Sequence, residues 1–378
     1  MPVTLTEEQQ DLANAIGEFG RREVPDKARR DELTAEGPHS MEIYRKMADQ
    51  GWLGIALPEA YGGSGGSMTD LLVFLEETSY HQIPIGGFGT TIITAAAIER
   101  NGSEEQKQEL LGGVVNGELL AISMSEPGAG SDVGGLTCKA EKTENGWVVN
   151  GQKTWCSNAH ISKTILLVAR TSTEGGKHEG LTMFVVPTDT PGLEIHGIET
   201  MGGKEVNDLY FTDCHLPADA VVGAEGQGWR QLMAGLNLER MILAGLMLGL
   251  ARRAFDDTVA YVKERHQFGR PVGSFQAMRH RIADNATDLA ATKLLVHDTA
   301  RTIDANPGAL FPREASMAKL KATEIAKHLS LEGMQMLGGY GYATEYGMER
   351  LLRQSVVSTV YGGTSEIQRD IIGKSYGL

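Results

Sequence analysis

Cysteine is scarce in this chain, and its three copies, Cys138, Cys156 and Cys214, form no C-x-x-C pair. An odd, scattered count without metal-ligand spacing points away from a disulfide framework and fits a reducing cytoplasm. The ten histidines make no H-E-x-x-H or similar cluster, so no metal site is expected. Positive charge is also short: 35 Lys and Arg against 49 Asp and Glu leave a formal net charge of -14. That balance argues against nucleic acid as the main partner, because phosphate contacts need clustered cations, although it leaves room for one local basic pocket. The opening MPVTLTEEQQ lacks the cationic start and apolar core of a signal peptide, so none is expected. The longest apolar run, inside MILAGLMLGLARRAF, stops at Arg252 and Arg253, too short by itself to span a bilayer.

What remains is a soluble globular composition, 41% hydrophobic and 22% charged over 378 residues, enough for two or three ordinary domains. Its texture changes twice. The first third reads as helical, with capping boxes at Thr6/Gln9 and Ser103/Gln106 and a stripe through Leu12, Ile16 and Phe19. Between them GWLGIALPEAYGGSGG is a turn-rich connector. From about Leu119, WVVNGQKTW, TILLVAR, LTMFVVP and DLYFTDCHLP read as short, antiparallel strands, with hairpin signals at Asn145-Gly146 and Asn150-Gly151. From about Gln227 long helices return. One passes through Leu232, Leu236, Leu243, Leu246 and Leu250, another through Met278, Ile282, Leu289, Val296 and Ile303. The expected fold class is α+β, mainly α: a helical domain over 1–118, an antiparallel β domain over 119–226 and a helical domain over 227–378.

One residue breaks the pattern. Counting core positions from Leu232 at the helical period, the position seven residues on is Glu239. A carboxylate in an apolar stripe carries a desolvation penalty unless it is paired or its pKa rises. From this feature alone a salt bridge and a general base are equally open; Arg240 is a poor partner, since adjacent residues on a helix do not face each other. Three further stretches stand out. In SMSEPGAGSD, Gly128 and Gly130 let backbone N–H groups approach an anion and Ser125 and Ser131 add hydroxyls, but no G-x-G-x-x-G joins a strand to a helix, so a nicotinamide Rossmann domain is not expected. In KTWCSN, Trp155 reads equally as a core aromatic. In QMLGGYGYATEYGMERLLR a helix breaks at Gly338-Gly339.

The order and spacing of SEPGAGSD, GQKTWCSN, ERHQFGRPVGSFQ, QMLGGYGY and YGGTSEIQR resemble the acyl-CoA dehydrogenase family along nearly the whole chain. The resemblance implies three domains ending in a four-helix bundle, a homotetramer, and a tightly bound FAD. It implies FAD contacts from Ile122, Met124, Ser125, Gly130, Ser131, Trp155 and Ser157 in the middle domain. On the C-terminal side it implies FAD contacts from Arg265, Gln267, Phe268, Phe275, Gln276, Gln335, Gly338, Gly339, Thr364 and Glu366, partly across a subunit boundary. Ser131, Asn237, Arg240, Tyr361 and Gly363 match positions near the acyl-CoA substrate. The implied reaction is α,β-dehydrogenation to a trans-2-enoyl-CoA, in fatty acid metabolism and β-oxidation, with an electron-transfer flavoprotein as acceptor.

Most members of the family carry a catalytic glutamate where this chain has Gly362. NLERMILAG instead resembles the long-chain and isovaleryl branches, whose glutamate lies on the first helix of the C-terminal domain, and this again selects Glu239 as the base, with Gly362 left to donate its backbone N–H. Tyr361 beside Gly362 resembles the long-chain type, so straight or remotely branched medium-to-long acyl chains are expected. The competing functions are an acyl-CoA oxidase, an acyl-carrier-protein dehydrogenase, and a non-catalytic subunit of a hetero-oligomer.

Overall fold

The computed structural model describes residues 3–233 and 235–378. Six helices lead: α1 (Glu7–Glu23), α2 (Lys27–Leu33), α3 (Met41–Ala48), α4 (Met68–Tyr80), α5 (Phe88–Asn101) and α6 (Glu104–Val115). Eight strands follow: β1 (Leu120–Ser123), β2 (Lys139–Thr143), β3 (Gly146–Ser157), β4 (Thr164–Arg170), β5 (Leu181–Pro187), β6 (Leu193–Thr200), β7 (Gly203–Leu216) and β8 (Val221–Val222). The chain then runs through α7 (Gly228–Met233), α8 (Leu236–Glu264) and a small hairpin of β9 (His266–Gln267) and β10 (Arg270–Pro271). It ends with α9 (Gln276–Asp304), α10 (Pro312–Leu337), α11 (Gly339–Tyr342), α12 (Met348–Ser358) and α13 (Ser365–Lys374). Both expected capping boxes form. A third, at Ser67 and Asp70, opens α4 with the shorter acid in the reciprocal role.

Two compact units interleave in sequence. One holds the chain up to Glu32, Ser67–Ile83 and Asn237–Leu378; the other holds Leu33–Gly66 and Pro84–Leu236. The N-terminal helices are therefore shared out, α1, α2 and α4 with the C-terminal helices, and α3, α5 and α6 with the strands.

In the helical unit α8 is the central element. Its Met241, Leu248 and Ala251 pack with Leu72 of α4, Val296 and Ala300 of α9, Ala318, Ala322 and Ala326 of α10, and Leu351 of α12. The apolar run of the sequence lies inside this longer helix, which by length and composition is sufficient to cross a membrane. Its apolarity has a local cause: the middle of α8 is buried on nearly every side within the unit. Glycine lets α4 come close, since a Cβ on Gly249 would stand 2.1 Å from the Glu76 carbonyl oxygen. Polar ties finish the joint. Ser79 Oγ donates to Leu246 O (2.6 Å), and the Asp304 carboxylate accepts from Met68 N (2.7 Å) and Thr69 N (3.0 Å) at the start of α4. Glu76, buried in α4, takes Arg252, Lys293 and His297 at 2.6–2.7 Å. Burial pushes its carboxyl up, but the His297 hydrogen bond and the two cations outweigh that and hold it far below the usual range.

In the other unit the main path of the sheet is β6-β7-β3-β2-β4-β5-β8, with β1 beside β4. It is not purely antiparallel as expected: β1 pairs with β4 in parallel, and β2 meets β4 in parallel at Lys139 and Arg170. The reason is topological. The hairpin partner β3 has β7 on its far side, so β4 adds next to β2 and runs the same way. Asn145-Gly146 makes the β2–β3 turn, but Asn150-Gly151 makes a β-bulge inside β3 and not a hairpin. Gly151 sits at φ 143°, and a Cβ there would meet Cys138 Cα at 2.8 Å, so the dipeptide serves close strand packing. All three cysteines are free and buried, and burial pushes their thiols up, to about 11 for Cys138 and Cys214 and about 12 for Cys156. Thiols held protonated in this way are poor nucleophiles.

Candidate active site

The candidate residues fall in both units, and each group is built by its own unit. The expected helix from Leu232 is not one element: α7 ends at Met233 in the sheet unit, Gly235 is a turn, and α8 carries Asn237 onward in the helical unit. Glu239 is thereby placed in the opening turns of α8, with Leu243 one turn below it. Gly362 comes to the same spot from the loop between α12 and α13. A Cβ on Gly362 would lie 3.4 Å from Glu239 Oε1 and 2.2 Å from Leu243 Cδ1. The two positions 123 residues apart thus share one volume (362 − 239), and only one of them has room for a side chain. Burial raises the Glu239 carboxyl above the usual range, while Arg240 and Lys319 pull the other way. Arg240 is itself buried and donates to Asn237 Oδ1 at 3.1 Å, so these two expected substrate residues are joined.

The glycine loop has an internal frame that the sequence reading did not include. Lys319 of α10, fully buried, donates through Nζ to Ser358 O (3.0 Å) and Gly363 O (2.9 Å). Gln368 of α13, also fully buried, donates through Nε2 to Gly362 O and Gly363 O, each at 3.0 Å. Gly362 holds φ 60° and Gly363 φ 80°, conformations that suit glycine. Thr364 caps α13 by accepting from Ile367 N, and Tyr361 is exposed beside the loop. The signal for Lys319 was present: it stands among Ala315, Ala318, Ala322 and Ala326, a charge within a small apolar face at helical spacing, as Glu239 stands among leucines.

Arg265, Gln267, Gln335, Gly338 and Gly339 line a single cavity of about 540 Å³, together with Tyr261 and Tyr340. Arg265 lies over the Tyr340 ring at 5.4 Å. Phe268 is 92% exposed at φ 52°, its ring edge-on to Phe275 at 6.1 Å, and Gln276 is the exposed first residue of α9. Thr364 and Glu366 line a separate groove of about 430 Å³ with Glu324, Lys327 and His328.

In the sheet unit, Ile122 lies on β1, and Met124, Ser125, Gly130 and Ser131 lie on the loop after it. Trp155 and Ser157 lie at the end of β3. A register shift between Lys153 and Cys156 puts Trp155 at φ 60° and leaves it 59% exposed, so it is not a core aromatic. The two stretches are fastened to each other. Thr154 N donates to Ser125 O (2.9 Å), and buried Lys153 donates to Met124 O (2.9 Å) and to Glu126 Oε1 (2.8 Å). Glu126 also accepts from Thr137 N (2.7 Å) and Cys138 N (2.8 Å), which closes the loop. Burial pushes its carboxyl up, but Lys153 and these N–H donors outweigh that and hold it below the usual range. Removing one member of a buried pair strands the other, at a loss of about 3–5 kcal/mol. Lys153→Met is therefore expected to lower the thermal midpoint by several degrees or more. Adding Glu126→Gln should restore part of it, and equal midpoints for wild type and Lys153→Met would contradict the clamp.

These surroundings fit an FAD. A Cβ placed on Gly128, Gly130, Gly338 or Gly339 would meet nothing within 4 Å, so both glycine pairs face open space and not packed protein. In the sheet unit Trp155, and in the helical unit Phe268, is an exposed aromatic at positive φ, the kind of backbone outlier that clusters at ligand sites. Within the sheet unit Ser125, Ser131 and Ser157 would offer hydroxyls to such a group, and within the helical unit the Arg265–Gln335 cavity would by itself offer a guanidinium and an amide suited to a phosphate.

Comparison with known proteins agrees over the full length. Residues 6–118, 121–214 and 226–377 match the N-terminal, middle and C-terminal domains described for acyl-CoA dehydrogenases. The chain is 34% identical to a mitochondrial 2-methylacyl-CoA dehydrogenase of Solanum tuberosum, over 98% of this chain and 90% of that one. It is 34% identical to an acyl-CoA dehydrogenase of Bacillus subtilis (strain 168), over 98% of each. A crystal structure of acyl-CoA dehydrogenase from Geobacillus kaustophilus superposes with a TM-score of 0.94 at 33% identity, covering 100% of both chains. With all three domain matches in order and relatives at 34% identity over nearly the whole length, this chain belongs to the acyl-CoA dehydrogenase family of FAD-dependent oxidoreductases.

Proposed function

We propose that the chain oxidises an acyl-CoA thioester between its α- and β-carbons, with Glu239 taking the α-proton and the Gly362 N–H donating to the thioester oxygen. The convergence of Glu239 Oε1 on Gly362 carries this reading. A thioester α-proton is weakly acidic, so it needs a positioned base and a donor for the charge that develops on oxygen. Glu239 supplies the first with a proton affinity raised by burial, closer to working pH than that of an exposed carboxylate. Gly362 is suited to the second, since among the described residues no protein group accepts from its N–H. The carboxylate gains the α-proton, the β-carbon loses a hydride, and the electron pair left at the α-carbon closes the double bond. FAD, when bound, supplies the acceptor for that hydride.

The proposed substrates are straight or remotely branched medium-to-long acyl-CoAs, on the strength of Tyr361 next to Gly362. Anaerobic bleaching of the flavin by a panel of butyryl-, isovaleryl-, 2-methylbutyryl-, octanoyl- and palmitoyl-CoA tests both parts. Octanoyl- or palmitoyl-CoA should bleach fastest. Bleaching by the branched short esters alone would overturn the chain-length assignment, and bleaching by none would overturn the activity.

We further propose a homotetramer that passes its electrons to an electron-transfer flavoprotein in the cytoplasm. Exposed Tyr340, which lines the Arg265 cavity, and exposed Phe268 and Tyr342, next in sequence to its lining residues Gln267 and Ala343, support a subunit contact there. Light scattering is expected to give four times the chain mass of 40.8 kDa, and a monomer would refute it.

A further inference from the structure

Lys319 is a costly residue to bury. Its ammonium has three donors and is fully enclosed, yet among the described residues no carboxylate lies within ion-pair distance of it. Its two acceptors are neutral carbonyls, Ser358 O and Gly363 O. The first belongs to the last residue of α12, where the helix dipole presents partial negative charge. The second belongs to the glycine loop at the Glu239 site. A methionine of similar length would satisfy neither carbonyl, and Gln368 already serves Gly363 O from the other side. Both acceptors are neutral, so beyond its hydrogen bonds the ammonium brings to the loop a positive charge that they do not neutralise.

We propose that Lys319 is a positioning residue for the dehydrogenation: it ties the end of α12 to the Gly362–Gly363 turn, leaving the Gly362 N–H free to serve substrate, and holds a positive charge on the loop that meets Glu239. This rests on the reading of Glu239 as the base. The charged groups that act here are few: Arg240 on α8, Lys319 and Glu324 on α10, and Glu366 on α13. Burial pushes Lys319 down to about 8, with Glu239 pulling it up and Arg240 opposing, so below that value it is the cation that supports the Glu239 carboxylate.

The sign of the effect follows. A nearby cation favours the ionised carboxylate and lowers its pKa; removing it raises that pKa. The base acts ionised, so the acid limb of the rate profile must move to higher pH. In Lys319→Met, the anaerobic rate of flavin bleaching by octanoyl-CoA should fall by about a hundredfold or more. Its acid limb should move up by roughly half to one pH unit, with FAD content and circular dichroism kept. Gln368→Met, which removes a loop tie without a charge, should slow bleaching while leaving the limb in place. Lys319→Arg, which keeps the charge but not the reach, should likewise leave the limb in place; this pair decides the matter if Lys319→Met does not fold. A wild-type rate in Lys319→Met, or a slower rate with an unmoved limb, would overturn the proposal. Glu239→Gln run alongside separates the two readings. If it bleaches at the wild-type rate, the base assignment itself fails; if it is inactive while Lys319→Met is normal, only the role of Lys319 fails.

Discussion

Glu239→Gln is expected to fold, to bind FAD with an unchanged visible spectrum, and to lose about a thousandfold or more of the bleaching rate with any acyl-CoA. The amide is nearly isosteric, so the contact with Gly362 is preserved while the proton acceptor is removed. Substrate affinity should change little, because the lost interaction belongs to proton transfer and not to binding. Stability should rise slightly or stay level, since the variant removes a carboxyl that burial already disfavours in its charged form. The sign for pH follows: the folded Glu239 binds its proton more tightly than the unfolded chain does, so the native state is penalised above the unfolded pKa and the glutamine variant gains most at neutral and alkaline pH. Stopped-flow reduction and thermal unfolding across pH read the two parts. A variant that still bleaches at the wild-type rate removes Glu239 from the chemistry.

Gly362→Ala is the second large effect. An alanine at φ 60° is disfavoured by about 1–2 kcal/mol. Its methyl would stand 2.2 Å from Leu243 Cδ1, and moving a buried leucine aside adds about 1–3 kcal/mol. The same methyl would press on Glu239 Oε1 at 3.4 Å, so the rate should fall along with the thermal midpoint. Leu243→Ala combined with Gly362→Ala should lose about 1 kcal/mol or more less than the two single changes together. Strict additivity would mean that the two side chains do not compete for one volume. By the same reasoning, moving the glutamate to 362 in a Glu239→Gly background should not restore activity while Leu243 is present.

Much of this was legible in the chain because it is local. Capping boxes at Thr6 and Ser103 need only residues three apart, and the strands WVVNGQKTW and TILLVAR need only their own β-branched texture. Glu239 was visible because a carboxylate among leucines breaks a periodic pattern. Asn150-Gly151 misled for a related reason: the same dipeptide serves a turn or a bulge, and Cys138 on the neighbouring strand decides which. The break before α8 was hidden because the helical period of the leucines runs through it unchanged. The partners of Glu126 and Lys319 were hidden too, since Lys153 and Gly363 stand 27 and 44 residues away from them.

By itself, the sequence determined the kinds of element, their order, the family, and the one acidic side chain out of place in a helix. Each is a property of residue spacing along the chain. Only the tertiary structure decided that α4 joins the C-terminal helices, through Glu76 and the close approach at Gly249. Only it decided that Trp155 stands exposed on a bulge, and that Glu239 and Gly362 occupy one volume framed by Lys319 and Gln368. These are matters of which distant groups exclude or satisfy one another once buried, and excluded volume and buried hydrogen bonds exist only when the chain has folded.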